Sequence, residues 1–345
     1  MEPLLQQVER FSEVLAVSGS VHVRSWDPPT VCRALQWARY LRHVSRRFGD
    51  HGRIREALER RLHGLARRQR HGALPVPALT SLEALGRCDV RLALRLLRNR
   101  ALGPAACHAL LRQLLPGAGA GAGADQDEDG PRQRLALLAR RGCALHLLRL
   151  GGGAPGHADA HADGHADAPL RTQAELLLRR VREARRAQPE APARLLGRLW
   201  ERGPRVRLLS VAAAALLQPG ADESVALVSW LLARAELTAA FCRLPADLLT
   251  AVSGRHPALA RAYLGQLGAW GRQLHYDLPR GAWVAAEPRH VPWAELRRRF
   301  ESLCGAPAPL KDAALAALRA CKAQDGGFEV PGVSVWTDLL ALLSA

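Results

Sequence analysis

"WARYLRHVSRRFGDHG", residues Trp37 to Gly52, sets Trp37, Tyr40 and Phe48 among four arginines. Aromatics interleaved with cations are the look of a nucleic-acid binder. The same letters also write an amphipathic helix that packs on protein. Helical geometry separates the two. At about 100° per residue, Trp37, Leu41, Val44 and Phe48 fall on one side. Arg39, Arg42 and Arg46 cluster on the opposite side. A base-stacking platform needs aromatics and cations on one surface. The stretch therefore reads as a helix with an inward apolar stripe and an outer basic face. That face is open to a protein partner or, as the runner-up reading, to DNA.

The same periodicity runs outward in both directions. Val31, Ala34, Leu35, Ala38 and Leu41 recur at spacings of three and four, as do Ile54, Ala57, Leu58, Leu62 and Leu65. "DVRLALRLLRNR" (89–100) opens on a plausible N-cap, Asp89. Further helices are expected over 104–115, 131–150, 170–186, 191–201 and 205–217. Others follow over 224–233, 237–242, 246–252, 258–274, 293–304, 310–323 and 334–343. Period-two alternation is scarce, and only "GAWVAAE" (281–287) suggests an extended piece. The expected class is all-α.

Two stretches interrupt the pattern. "GAGAGAGADQDEDG" (117–130) is small residues followed by an acidic run, and "GGGAPGHADAHADGHADA" (151–168) is low-complexity. Neither holds enough apolar surface to offset its ordering entropy. The expected organisation is an N-terminal helical domain over 1–150 with a flexible acidic loop at 117–131, a linker over 151–169, and a C-terminal domain over 170–345. In the last, helices of 8–17 residues are separated by short Pro- and Gly-marked turns such as "QPGAD" and "GAPAP". Such connections favour antiparallel neighbours, and stacked pairs build a HEAT-like α-solenoid with an extended binding surface. No strict sequence period accompanies this reading.

The formal net charge is +17, which argues for an acidic partner. Lys311 and Lys322 are the only lysines, so 47 of the 49 basic residues are arginine. Arginine, alanine, glycine and proline all have GC-rich codons, so coding composition accounts for part of the excess. Arginine also suits protein interfaces. The seven cysteines are dispersed, without a CxxC pair, and read as reduced thiols in a reducing compartment. "MEPLLQQVERF" has no basic segment leading an apolar run. A soluble intracellular protein is expected.

Little in the chain points to chemistry. His157, His161 and His165, with Asp159, Asp163 and Asp167, form a repeated tract that zinc or nickel could bind. Gly156 and Gly164 weaken it as a helix, and it reads as a solvated linker, so no metal is expected. "DQDEDG" lacks the downstream Glu of a calcium loop. Walker A, GxSxG and HExxH patterns are missing, so neither catalysis nor a cofactor is expected. Large apolar residues in Pro- and Gly-bounded connections are the better candidates. "QLHYDLPRGAWV" (273–284) carries Tyr276, Leu278 and Trp283; "GGFEVPGVSVW" (326–336) carries Phe328, Val330 and Trp336. Such residues either plug the core or anchor a partner. A partner surface is expected around Phe241, Tyr276, Leu278, Phe328 and Trp336.

The same segments carry a resemblance. "RFSEVLAVS" (10–18), "SWDPPTVCRALQWARYLRHVSRRFG" (25–49), "LRLLRNRALG" (94–103), "RHPALARAYLG" (255–265), "LHYDLPRGAWV" (274–284), "VPWAELRRRFESLC" (291–304) and "CKAQDGGFEVPGVSVWTDLL" (321–340) resemble, in order, the Fanconi anemia group F family. The Gly/Ala loop, the His-Ala-Asp tract and a short connection at 219–223 depart from the family pattern. The resemblance implies a nuclear adaptor without activity of its own, part of the Fanconi core complex. It implies contacts of the N-terminal part with the group C and group E proteins. It implies a C-terminal repeat domain that helps hold the group A and G proteins and receives the group M translocase. The assembled ubiquitin ligase, with its RING in another subunit, would monoubiquitinate its substrates in interstrand crosslink repair.

Overall fold

The structure, a computed structural model, describes residues 2–69, 79–115, 130–149, 167–219 and 221–344. They fall into two compact units, Met1–Arg149 and Leu150–Ala345. The segment 117–129 and the His-Ala-Asp tract through residue 166 lie outside the described residues. The fold is all-α, with seventeen α-helices and one two-stranded sheet among the described residues.

The N-terminal unit is built around the helix of the opening stretch. Its helices are α1 (Glu2–Ser18), α2 (Pro28–Gly49), α3 (Gly52–Gln69), α4 (Leu82–Gly86), α5 (Cys88–Arg98), α6 (Pro104–Leu114) and α7 (Gly130–Arg149). A 3-10 turn, Val21–Ser25, joins α1 to α2. Asp27 caps α2: its carboxylate accepts the Thr30 N–H at 2.8 Å, and Pro28 and Pro29 fill positions that need no N–H donor. The stripe Val31, Ala34, Leu35, Ala38, Leu41 and Val44 is buried. Helix α2 packs on α1, α3, α4, α5 and α6, so one apolar stripe organises the unit. Phe11 and Leu15 of α1, Leu58 and Leu62 of α3, and Leu92 and Leu96 of α5 complete the core. Asn99 ties the ends of α1 and α5 together. Its Nδ2 donates to the carbonyls of Ser18 (3.0 Å) and Ser20 (2.7 Å).

One expected boundary moves. Helix α5 starts at Cys88, one residue before Asp89, and Arg87 at the cap position makes no side-chain cap bond. Asp89 instead sits in the first turn and takes the guanidinium of Arg42. A charged pair linking α2 and α5 outcompetes a local cap.

The C-terminal unit contains α8 (Asp167–Ala187), α9 (Ala191–Arg202), α10 (Arg205–Leu216), α11 (Ala221–Leu232), α12 (Ala235–Phe241), α13 (Ala246–Arg255) and α14 (Pro257–Gly271). Strands β1 (Leu274–Asp277) and β2 (Ala282–Ala285) follow, then α15 (Trp293–Cys304), α16 (Ala308–Gln324) and α17 (Val335–Ser344). Helices meet their nearest and next-nearest neighbours in the chain: α8 meets α9 and α10, α13 meets α14 and α15, and α16 meets α14, α15 and α17. Within "GAWVAAE", Ala282–Ala285 is extended and pairs antiparallel with Leu274–Asp277. Residue 274, expected at the end of α14, opens a strand instead, because the helix stops at Gly271. No single helix among the described residues is long and apolar enough to cross a membrane.

Arginines hold this unit together from inside. Arg299 of α15 is buried. Its Nε donates to Glu295 (2.8 Å), Nη1 to the Cys242 carbonyl (2.8 Å) and Tyr263 hydroxyl (3.1 Å), and Nη2 to the Leu244 carbonyl (3.0 Å). The guanidinium also lies 5.4 Å from the Trp270 ring centroid. One side chain thus satisfies the carbonyls that close α12 and fixes α14 against α15. Burial pushes the Tyr263 hydroxyl up to about 12, so it stays protonated. Arg182 of α8 bonds Glu223 of α11 and holds that carboxyl below its ordinary range. Arg255 and His256 reach the last carbonyls of α10, at Leu217 and Leu216, and the Arg255 cation meets the negative helix end.

Candidate partner-binding surfaces

The β1–β2 hairpin is short because its turn is tight. Gly281 has φ +60°, and the Gly281 N–H donates to Leu278 O at 3.3 Å. The register places Tyr276 opposite Trp283. Their rings meet edge to face with centroids 5.4 Å apart, and Trp283 in turn lies 6.4 Å from Trp293.

Asp338 of α17 pins this cluster to the loop before it. The Trp283 indole N–H donates to Asp338 Oδ2 at 2.7 Å. The Gly332 N–H donates to the same carboxylate at 3.1 and 3.2 Å. Gly332 has φ +76°, and a Cβ there would lie 3.0 Å from the Tyr276 ring, so backbone packs directly on aromatic. Thr337 donates its hydroxyl to Phe328 O. Lys322 pairs with Glu329 at 2.7 Å. Loop 326–334 is therefore held at several points, and it turns its apolar side chains outward. Phe328 is 51%, Val330 60% and Val333 53% exposed, and Leu278 at the hairpin turn is 82% exposed. Apolar side chains displayed on a pinned loop lose little freedom when covered.

The expected partner surface divides on inspection. Leu278 and Phe328 are exposed and Tyr276 is half-buried. Phe241 (3% exposed) and Trp336 (1%) are core residues, which corrects the expectation that they are exposed anchors. Phe241 closes α12 beside the carbonyls that Arg299 binds. Trp336 lies over α14, where Gly271 makes room: a Cβ at 271 would stand 2.1 Å from its ring. Val333 and Asp338 join the site without having been singled out. Their signal was thin: a glycine at 332 and a lone carboxylate in an apolar helix.

The basic face of α2 divides as well. Arg39 is exposed and donates to Gln113 Oε1 at 3.1 Å. Arg46 is exposed in the last turn. Arg42 is half-buried and paired with Asp89, so it faces α5 rather than outward, a correction to the expected outer face. Of the inward stripe, Leu41 and Val44 are buried, while Trp37 and Phe48 are half-buried. Among the described residues no group of three His, Cys, Asp or Glu side chains could hold a metal ion. The tract of His157, His161 and His165 lies outside them. Cys32, Cys88, Cys107, Cys242, Cys304 and Cys321 are free thiols, and Cys88, Cys143 and Cys242 are buried. Burial pushes the Cys88 and Cys242 thiols up to about 12, which keeps them protonated and inert.

A family model described as the Fanconi anemia group F protein (FANCF) matches residues 1–343. The chain is 54% identical to the Fanconi anemia group F protein of Homo sapiens, covering 99% of this chain and 95% of the human one. It is 52% identical to the Mus musculus protein of the same name, covering 99% and 98%. Near-complete coverage of both chains, over a fold whose two units carry the matched segments in order, means that the chain belongs to the Fanconi anemia group F protein family.

Proposed function

We propose that the chain is a non-catalytic adaptor of the nuclear Fanconi core complex, bridging its subcomplexes for monoubiquitination in interstrand crosslink repair. In this reading the N-terminal unit meets the group C and group E proteins. The C-terminal unit, a HEAT-like solenoid, helps hold the group A and G proteins and receives group M. The segment 151–169 joins the two modules. The observation that supports this most is the outward display of Leu278, Phe328, Val330 and Val333 on a hairpin and loop pinned by Asp338. A covered apolar platform is what a scaffold needs, and a solvated domain gains nothing from one. Direct DNA contact by the α2 face is the weaker alternative, since Arg39 and Arg42 are engaged within the unit.

The test is a full-length Leu278→Asp/Phe328→Asp variant co-expressed with the group A, C, E, G and M proteins. Both side chains are exposed, so circular dichroism should be unchanged. Recovery of one or more of groups A, G and M should collapse, while groups C and E should remain. Full recovery of every partner would overturn the placement of that interface.

A further inference from the structure

In the N-terminal unit, two helical stripes face a common trough. Arg10, Glu13, Val14 and Val17 follow i, i+3, i+4, i+7 along α1, and Thr30, Arg33, Ala34 and Trp37 follow the same spacing along α2. Trp26 closes one end, beside the turn that joins the helices, and at the other end the Phe11 and Trp37 rings meet tilted, with centroids 5.8 Å apart. The helices thus run past each other in opposite senses, with a trough about 10 Å long between them, the rise of roughly two helical turns.

Its floor is apolar and its rim is charged. Val14, Val17, Trp26 and Trp37 are each half-buried, and Ala34 is buried. Arg10 and Arg33 are exposed on opposite walls, and among the described residues neither forms an ion pair with a carboxylate. Arg33 donates to the Thr30 hydroxyl at 3.3 Å, and its charge also acts on the nearby Asp27 carboxylate. Two tryptophans at opposite ends of an open trough, with two arginines on its rim against the single lining carboxylate of Glu13, form a surface with an apolar need and an acidic preference.

We infer that this trough docks an amphipathic helix of a protein partner, with apolar side chains on Val14, Val17, Trp26 and Trp37 and a carboxylate on Arg10 or Arg33. A helix fits because an occupant two turns long presents two apolar positions on one face and an acid beside them. The inference rests on the adaptor reading above and adds the place and chemistry of its N-terminal contact.

The experiment uses the full-length chain with purified group C and group E proteins as probes. Affinity is measured for the wild type, Val17→Glu, Arg33→Glu and Arg10→Glu/Arg33→Glu, with circular dichroism as the folding check. Hydrogen exchange follows residues 10–17 and 30–37. The expected result is protection of both stripes in the complex and binding about tenfold weaker or worse for each variant. Should Val17→Glu disturb folding, the exposed arginine variants decide alone. Undiminished binding by those variants, with no protection of the stripes, overturns the trough while leaving the adaptor reading intact. A wild type that binds neither probe overturns the adaptor reading, and the trough with it. Two further results overturn the helix assignment: a dimer that Arg33→Glu dissolves, which would make the occupant a second copy, or duplex binding that falls steeply with salt and needs Arg10 and Arg33.

Discussion

Each unit leaves one pair of tryptophans half-buried, and the two pairs are held differently. In the C-terminal unit, Trp283 and Trp293 belong to an aromatic cluster with Tyr276, and the Trp283 indole is bonded to Asp338. In the N-terminal unit, Trp26 and Trp37 line an open trough between two helices, and among the described residues only Trp37 has an aromatic neighbour, Phe11. Charge differs in the same direction. Residues 1–149 hold 25 arginines against 13 acidic residues, and residues 150–345 hold 24 basic against 19 acidic residues. The C-terminal unit uses its arginines as internal fasteners, whereas the N-terminal unit leaves more of its charge unmatched. Both units expose apolar side chains, the C-terminal one on a hairpin and loop pinned from inside, the N-terminal one in an open trough between two helices.

Breaking the internal fastening should show the largest effect. Arg299→Met removes the donor for Glu295, the Cys242 and Leu244 carbonyls and the Tyr263 hydroxyl. Leaving that set without its buried charge should cost about 3–5 kcal/mol, read from urea unfolding. The loss should fall on the C-terminal unit, with the exchange protection of α2 unchanged. Gly271→Ala comes next. Its Cβ collides with the rigid Trp336 ring rather than a flexible chain end, and overpacking of this kind costs about 1–3 kcal/mol. Asp338→Ala should cost about 1–2 kcal/mol by orphaning the Trp283 and Gly332 donors. It should also loosen loop 326–334, seen as faster exchange there.

The order of these effects follows what the sequence could and could not disclose. Most helices were legible because period-3.6 patterns report burial directly: α15, with Leu296, Phe300 and Leu303 at spacings of three and four, was placed at Trp293–Cys304 from pattern alone. Helix α1 and the short α4 were not singled out. The strand β1 was missed because four residues are too few to show alternation, and the apolar Leu274 continued the helical pattern of α14. The site was half legible. Aromatics in "LHYDLPRGAWV" and "GGFEVPGVSVW" marked the right loops, but nothing local distinguishes Phe328, turned outward, from Trp336, buried over Gly271. That distinction is set by a contact between residues 65 positions apart in the chain. Arg42 was misread for a similar reason: its partner Asp89 is 47 residues away.

Acid should sharpen the comparison further. Arg182 holds the Glu223 carboxyl below its ordinary range, and Arg298 followed by Arg299 does the same for Glu295. A carboxyl whose folded pKa is depressed contributes stability that is complete above its unfolded value, near 4.5, and fades as pH falls through the folded one. Melting of the C-terminal unit should therefore weaken progressively below about pH 5. Glu223→Gln should lower the neutral-pH melting temperature and flatten this acid slope; an unchanged slope would remove Glu223 as its source.

The smallest effect should come from the N-terminal counterpart of the Arg299 hub. Arg42 reaches one carboxylate, Asp89, with side-chain exposures of 29% and 15%. Water can take over part of what Arg42→Ala removes, so the cost should be about 1 kcal/mol, several-fold below that of Arg299→Met. Asp89 Oδ1 has no partner of its own, so the carboxylate depends on Arg42 for its contact with α2. A double-mutant cycle with Asp89→Asn should accordingly recover most of that cost as coupling energy, and the coupling should shrink with added salt. A coupling as large as the Arg299 effect would mean that the N-terminal unit is fastened from inside as firmly as the C-terminal one. The contrast between the two units would then rest on the open trough alone.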